Sequence, residues 1–261
     1  MQNTNITNLS LSLPDGLVVD RSWLQRKGFT RPHIDYLIRS GKLQSVGRGA
    51  YRRPGPPLKW QHFVYSLQEQ GYSIHVGGRS ALDLQGFAHY LPLGGIQTID
   101  LYGISKLPTW LQEAQTMPQF KACGMAAFNP MPPQALTTQP FGHWDWLLPF
   151  ATPELALFEL LAQVRDEADF SLLDKYVESS PTLRPELCNA LLQTCGSIKA
   201  KRLFLWFAAR HQHPWLSHLE TVGVNLGSGK RMMIAGGVLD KTYQITVPRR
   251  MMEEQDAPDF F

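Results

Sequence analysis

Asp20-Arg21-Ser22-Trp23-Leu24-Gln25-Arg26-Lys27-Gly28-Phe29-Thr30-Arg31-Pro32-His33-Ile34-Asp35-Tyr36-Leu37-Ile38-Arg39-Ser40-Gly41 is the stretch on which the reading of the fold turns. Asp20 carries a side-chain acceptor suited to cap a short helix reaching Lys27. Trp23 and Leu24 give that helix an apolar face, and Gly28 stops it. Thr30 caps a second helix that ends at Gly41. Pro32 is tolerated there because the first-turn N–H groups have no intrahelical partner. Ile34, Leu37 and Ile38 recur at i, i+3 and i+4 and must face a core. The opposite face carries Tyr36 and Arg39, flanked by His33, Asp35 and Ser40. Two short helices joined by Gly28-Phe29-Thr30 predict a helix-turn-helix. Leu43-Gln44-Ser45-Val46, the turn Gly47-Arg48-Gly49 and Ala50-Tyr51-Arg52 then read as a small hairpin with an arginine at its tip, a wing.

Charge is concentrated in the same place. Residues 1–60 contain ten Lys or Arg against three Asp, a net charge of +7, while the remaining 201 residues carry −4. A basic module on a mildly acidic body predicts a polyanionic partner held at one end of the chain. Composition alone leaves DNA, RNA and an anionic lipid surface open, and the helix-turn-helix pattern selects double-stranded DNA. In that class one helix enters the major groove while arginines from helix ends and wing grip phosphates. The candidate DNA-contacting residues are Lys27, Arg31, His33, Tyr36, Arg39, Lys42, Arg48 and Arg52. The competing reading is a basic structural module that contacts a protein.

The full 261 residues, 43% hydrophobic and 18% charged, fit a small module joined to a larger one. No window approaches the roughly 20 apolar residues of a membrane span; the longest run is Leu203 to Ala209. Met1 to Leu13 lacks the basic start of a secretory signal. Cys123, Cys188 and Cys195 are odd in number and lack C-x-x-C spacing, so neither a disulfide framework nor a zinc site is expected and a reducing cytoplasm is.

Pro54-Gly55-Pro56-Pro57 punctuates the chain and sets the expected boundary between a winged helix at 1–58 and a body at 59–261, itself divisible into lobes 59–150 and 151–261. A helix is expected over 58–70 and a strand over 72–76. Gly77-Gly78-Arg79-Ser80 opens another helix. Strands are expected at 96–102, 120–128 and 143–148, and helices at 153–165, 169–179, 183–195 and 197–211. Two final strands are expected around Gly236-Gly237. The fold class is therefore α/β: an N-terminal winged helix-turn-helix followed by a mixed body of sheet and helices.

Leu13-Pro14-Asp15-Gly16 through Arg52, including Ser40-Gly41-Lys42-Leu43 and Val46-Gly47-Arg48-Gly49-Ala50-Tyr51, resembles the N-terminal domain of the AbiEi antitoxin family of type IV toxin–antitoxin systems of bacterial abortive infection. Val76-Gly77-Gly78-Arg79-Ser80-Ala81-Leu82-Asp83-Leu84-Gln85-Gly86 is similar to the same family. The resemblance is specific over about 13–103 and diffuse beyond. It implies a repressor that binds inverted repeats in its own promoter. It also implies a separate C-terminal activity that counteracts a cognate nucleotidyltransferase-like toxin, with no stable complex required.

Three further motifs invite catalytic readings. Gly77-Gly78-Arg79-Ser80 with Asp100 superficially matches a nucleotidyltransferase, but two-metal chemistry needs convergent carboxylates and Asp100 is followed by Leu101 and Tyr102. Gly227-Ser228-Gly229-Lys230 fails the P-loop pattern, with Val224 in place of the first glycine and Arg231 after the lysine. His211, His213 and His218 are separated by Pro214, so they share no helix face for a metal. Leu203-Phe204-Leu205-Trp206-Phe207 reads as buried helix. The expectation is a non-enzymatic regulator without cofactor or metal. The alternatives are a DNA-targeted nuclease or transferase, and a regulator whose body senses a small molecule.

Overall fold

The computed structural model describes residues 9–87, 95–114, 116, 118–124, 128–142 and 146–256. In chain order the elements are α1 (Leu9–Ser12), β1 (Val19–Asp20), α2 (Arg21–Arg26), α3 (Arg31–Arg39), β2 (Gln44–Gly47), β3 (Ala50–Arg52), α4 (Trp60–Glu69), β4 (His75–Val76), α5 (Gly78–Leu84), β5 (Thr98–Tyr102), α6 (Thr109–Glu113) and β6 (Gln119–Ala122). There follow β7 (Leu136–Phe141), β8 (Trp146–Ala151), α7 (Pro153–Gln163), α8 (Glu167–Glu178), α9 (Pro185–Thr194), α10 (Ile198–His211), β9 (Val238–Asp240), β10 (Ile245–Val247) and α11 (Arg249–Asp256). The chain divides into two compact units. One is Met1–His75, Gln97–Met125 and Thr138–Leu148; the other is Val76–Ile96, Ala126–Thr137 and Pro149–Phe261.

In the first unit the caps expected from sequence are made. The Asp20 carboxylate accepts the Trp23 N–H at 2.6 Å, and the Thr30 hydroxyl accepts that of His33 at 3.4 Å. Gly28 takes φ +92°, which a side chain would resist, and so reverses the chain between α2 and α3. Ile34 and Leu37 of α3 are buried in a core with Leu13, Leu17, Trp23, Leu24, Phe29, Leu43 and Tyr51. Strands β2 and β3 form the expected antiparallel hairpin, irregular between Ser45 and Gly47. Strand β1, which two residues cannot announce in a sequence, adds to its other side with Val19 opposite Tyr51. The result, two capped helices and a three-stranded antiparallel sheet, is consistent with the expected winged helix-turn-helix.

The break at Pro54–Pro57 does not end this unit, so the boundary expected at 58/59 falls inside it. Ser66 of α4 accepts the buried Val18 N–H at 2.8 Å, and the Trp23 indole donates to the Glu69 carbonyl at 3.2 Å. Trp146 belongs to the same core and stacks on Tyr65 at 4.1 Å. β5 and β6 pair in parallel, with Ile99 opposite Phe120.

The second unit is mainly helical. α7 buries Leu155, Ala156, Leu157, Phe158 and Leu161, and packs on α5 and α10. The run Leu203–Phe207 of α10 is buried throughout, as its composition predicts. Helices α7 to α10 lie within a residue or two of their expected spans. Val76 of β4 pairs in parallel with Phe150 of β8, the strand expected over 72–76 being two residues long. The final hairpin turns at Lys241–Gln244 rather than at Gly236-Gly237: the Asp240 carboxylate accepts the Tyr243 N–H at 2.7 Å and Gln244 takes φ +55°. Gly237 has a different duty, since a Cβ there would lie 2.7 Å from the Val247 carbonyl oxygen. α6, β7 and α11 are additional to the elements expected from sequence. Residues 1–8, 125–127 and 143–145, on which parts of three expectations fall, lie outside the described residues.

Candidate nucleic-acid interface

The candidate site is the outward surface of α3 and the β2–β3 hairpin. Burial of Ile34 and Leu37 forces the opposite face of α3 outward, and Tyr36 is 52% exposed there beside exposed Arg39 and Arg31. Tyr36 and Arg39 thus lie where the helical period placed them. Arg39 leans back along the helix, its Nε donating to the Asp35 carbonyl at 3.3 Å. Lys42 sits over the Tyr36 ring at 5.9 Å, and Lys27 over Trp23 at 5.2 Å. His33 is half-buried, its ring 5.4 Å from Phe29.

Asp35, on the flank of this face, is paired with Arg21. Arg21 Nη2 donates to it at 2.7 Å while its Nε meets the Tyr51 hydroxyl at 3.3 Å. The bonds to Tyr51 and to Asp35 hold the Arg21 pKa above its ordinary value. This bridge ties α2, α3 and β3 together and pairs the acid on the flank of the outward face. Among the described residues, no ion pair involves any of the candidate cations Lys27, Arg31, Arg39, Lys42, Arg48 and Arg52.

The two wing arginines differ. Arg48 is exposed at the hairpin tip. Arg52 is half-buried, and its guanidinium donates to the carbonyls of Pro56 at 2.6 Å and Gly55 at 3.0 Å. Arg52 therefore braces the hairpin against the Pro-Gly segment. Two residues that sequence reasoning missed also shape the wing. The Glu113 carboxylate of α6 accepts the Arg48 backbone N–H at 3.0 Å. A Cβ at Gly47 would lie 2.4 Å from the Trp110 carbonyl oxygen. Both partners are more than sixty residues away in sequence, and no local pattern signals them.

The motifs of the second unit are satisfied by the chain itself. Gly78 N–H, at the turn that opens α5, donates to the buried Glu159 carboxylate at 2.8 Å. The position where a phosphate would sit already holds an internal anion. In the Gly227–Lys230 turn, backbone carbonyls point at a cation. Arg202, 3% exposed, donates to the carbonyls of Leu226 at 2.7 Å, Gly227 at 3.2 Å, Gly229 at 2.7 Å and Gln244 at 3.1 Å. A phosphate loop presents N–H groups instead. His211 pairs with Asp174 at 2.8 Å and His213 with the Val177 carbonyl at 2.7 Å, so these rings are already committed. Asp100, in the first unit, lies 3.6 Å from both Lys121 Nζ and Cys123 Sγ.

An exposed aromatic–arginine helix face beside a basic hairpin, on a chain with a separate helical unit, is the build of a transcriptional regulator. Comparison with known families makes the assignment. Residues 2–93 match the family described as "Transcriptional regulator, AbiEi antitoxin N-terminal domain". Residues 97–248 match "Transcriptional regulator, AbiEi antitoxin, Type IV TA system". The chain belongs to the AbiEi antitoxin family and is a transcriptional regulator and antitoxin of a type IV toxin–antitoxin system. Among solved structures it is similar to the RV2827C protein from Mycobacterium tuberculosis, with 16% identity, a TM-score of 0.52, and coverage of 88% of this chain and 85% of that one. That likeness is one of fold. No curated protein matches the chain. No helix among the described residues is long and apolar enough to cross a membrane.

Proposed function

We propose that the chain is a DNA-binding autorepressor and a non-enzymatic antitoxin acting in the cytoplasm. A winged helix-turn-helix in the first sixty residues reads inverted repeats in the promoter of its own operon. Tyr36 and Arg39 approach base edges from α3 in the major groove, while Lys27, Arg31, His33, Lys42 and Arg48 grip the backbone. Arg52 acts through the wing it braces. The observation that carries this reading is the pairing of a buried Ile34–Leu37 stripe with an exposed Tyr36–Arg39 face beside an arginine-tipped hairpin. Affinity for DNA should fall steeply with salt, in proportion to the phosphates neutralised.

The antitoxic activity resides in the larger remainder and counteracts a nucleotidyltransferase-like toxin without a stable complex. What supports this division is the charge asymmetry between a +7 reader and a −4 body. The test is a double variant, Arg39→Ala with Arg48→Ala, co-expressed with the neighbouring toxin from a heterologous promoter. Promoter repression should be lost and protection retained. If protection disappears while the variant stays folded by circular dichroism, neutralisation requires DNA binding and the division fails.

A further inference from the structure

A wing is ordinarily a hairpin projecting from its domain, but this one is fixed along one side. α6 packs on β2, where Gly47 lies so close to the Trp110 carbonyl that no side chain fits. Trp110 is itself buried and stacks on Phe63 of α4 at 6.4 Å, so the surface carrying the wing is anchored in the core of the first unit. At the tip, Glu113 ends α6 with its carboxylate on the Arg48 N–H at 3.0 Å. Glu113 is exposed, and an exposed carboxylate needs no internal partner to be stable. Its place is therefore informative: a full negative charge stands one hydrogen bond from the residue expected to meet DNA phosphate.

We propose that Glu113 is a positioning and specificity-determining residue of the DNA interface. Its oxygen pins the wing tip, and its charge discounts the attraction of Arg48 for phosphate. The inference rests on the DNA-binding reading above. The two effects have different consequences. The charge acts on any DNA sequence, because phosphate attraction carries no sequence information, and it is screened over about 8–10 Å at physiological salt. The pin matters only when α3 and the wing must both be in register, which is the condition of specific binding.

Two substitutions in the full-length protein separate the effects. Glu113→Gln keeps an acceptor for the Arg48 N–H and removes the charge. Glu113→Ala removes both. Affinities are measured for a duplex carrying the promoter of the protein's own operon and for a random duplex of equal length, across a salt series. Glu113→Gln should tighten both duplexes by about threefold at low salt, on the scale of one exposed charge near a phosphate, and the gain should shrink as salt rises. Glu113→Ala should keep that gain on random DNA but bind the promoter about fivefold more weakly than Glu113→Gln, the scale of one hydrogen bond to a neutral acceptor. Unchanged thermal midpoints confirm that the fold is intact, and the glutamine variant carries the charge test by itself if the alanine variant does not fold.

If Glu113→Gln matches the wild type on both duplexes at low salt, the charge role is overturned. If the two variants have the same promoter-to-random ratio, the pinning role is overturned. Wild-type protein and Arg48→Ala are the reference. A wild type with no preference for the promoter would instead sink the DNA-binding reading, whereas a wild-type preference with affinity weakened on both duplexes in Arg48→Ala but untouched at Glu113 sinks only this inference.

Discussion

The two units use the same kinds of charged residue in opposite ways. In the first, Arg31, Arg39, Lys42 and Arg48 stand exposed without an ion pair to a described acid, on a surface whose apolar side is turned inward. In the second, several charged groups are buried or half-buried and satisfied. Glu154 receives the Arg184 guanidinium through two bonds of 2.9 Å, Arg202 is surrounded by carbonyl oxygens, and Asp174 holds Arg210 and His211. A charge left in water is available to a partner. A charge buried with full hydrogen bonding is committed to the fold, because withdrawing any partner exposes the desolvation penalty. This difference separates the arginines proposed to contact DNA from the glycine-rich and histidine motifs, whose polar groups are bonded within the chain.

The comparison breaks most completely if the reader can be cut out of its unit. Residues 1–58 alone lose the Ser66 acceptor for Val18, the Glu69 acceptor for Trp23, and Trp146 from their core. This fragment should show no cooperative unfolding transition by circular dichroism. A stable 1–58 fragment with wild-type DNA affinity would mean that the first unit is assembled from an independent reader and a mere cover.

The next largest effect is expected where charge is committed inside. Arg202→Met removes a cation that satisfies four carbonyls and should lower stability by roughly 3 kcal/mol or more in denaturant unfolding. DNA affinity per folded molecule should not change. A stability change under about 0.5 kcal/mol, the range of an ordinary surface substitution, would place Arg202 with the exposed arginines.

On the exposed side, Arg39→Ala should leave stability nearly unchanged. It should reduce discrimination between promoter and random DNA by about 1–3 kcal/mol if it makes a bidentate base contact. Arg48→Ala should weaken both duplexes more evenly, as a phosphate contact does. An unchanged specificity ratio in Arg39→Ala would mean that α3 meets DNA through another face.

The smallest effect should appear in acid. Burial opposes ionisation of Glu154, yet the side-chain and backbone bonds from Arg184 prevail and hold its pKa below the ordinary value. Asp174 is likewise opposed by burial and lowered on balance by His211 and Arg210. A carboxylate whose folded pKa is depressed contributes stability fully above its unfolded value, near 4. That contribution is lost as pH falls through the lower folded value. Stability should therefore fall from about pH 5 downward, and Asp174→Asn should flatten the slope while lowering the plateau. An unchanged slope would remove Asp174 from this role.

The helices of the reader were legible because everything that defines them is local. Asp20 and Thr30 cap within three residues, Gly28 needs its positive φ whatever surrounds it, and the Ile34–Leu37 stripe has one helical side to occupy. The same locality fixed α7 to α10 and the exposed face of Tyr36 and Arg39. The segments α6 and β1 were not legible, because five or two residues carry no period. The end of the first unit was not legible either, because Pro54–Pro57 punctuates the chain without separating cores. Several charged residues take their surroundings from the tertiary structure instead. In the sequence Arg48 and Arg52 group as wing cations and nothing marks Arg202. Contacts from distant elements decided that the first is presented at the wing tip beside Glu113 and the third is enclosed by carbonyls, while the second braces a turn only three and four residues along the chain. Chain connectivity sets which groups exist and their local conformation. Desolvation and hydrogen bonding, which depend on what folding brings within a few ångströms, set what each group does.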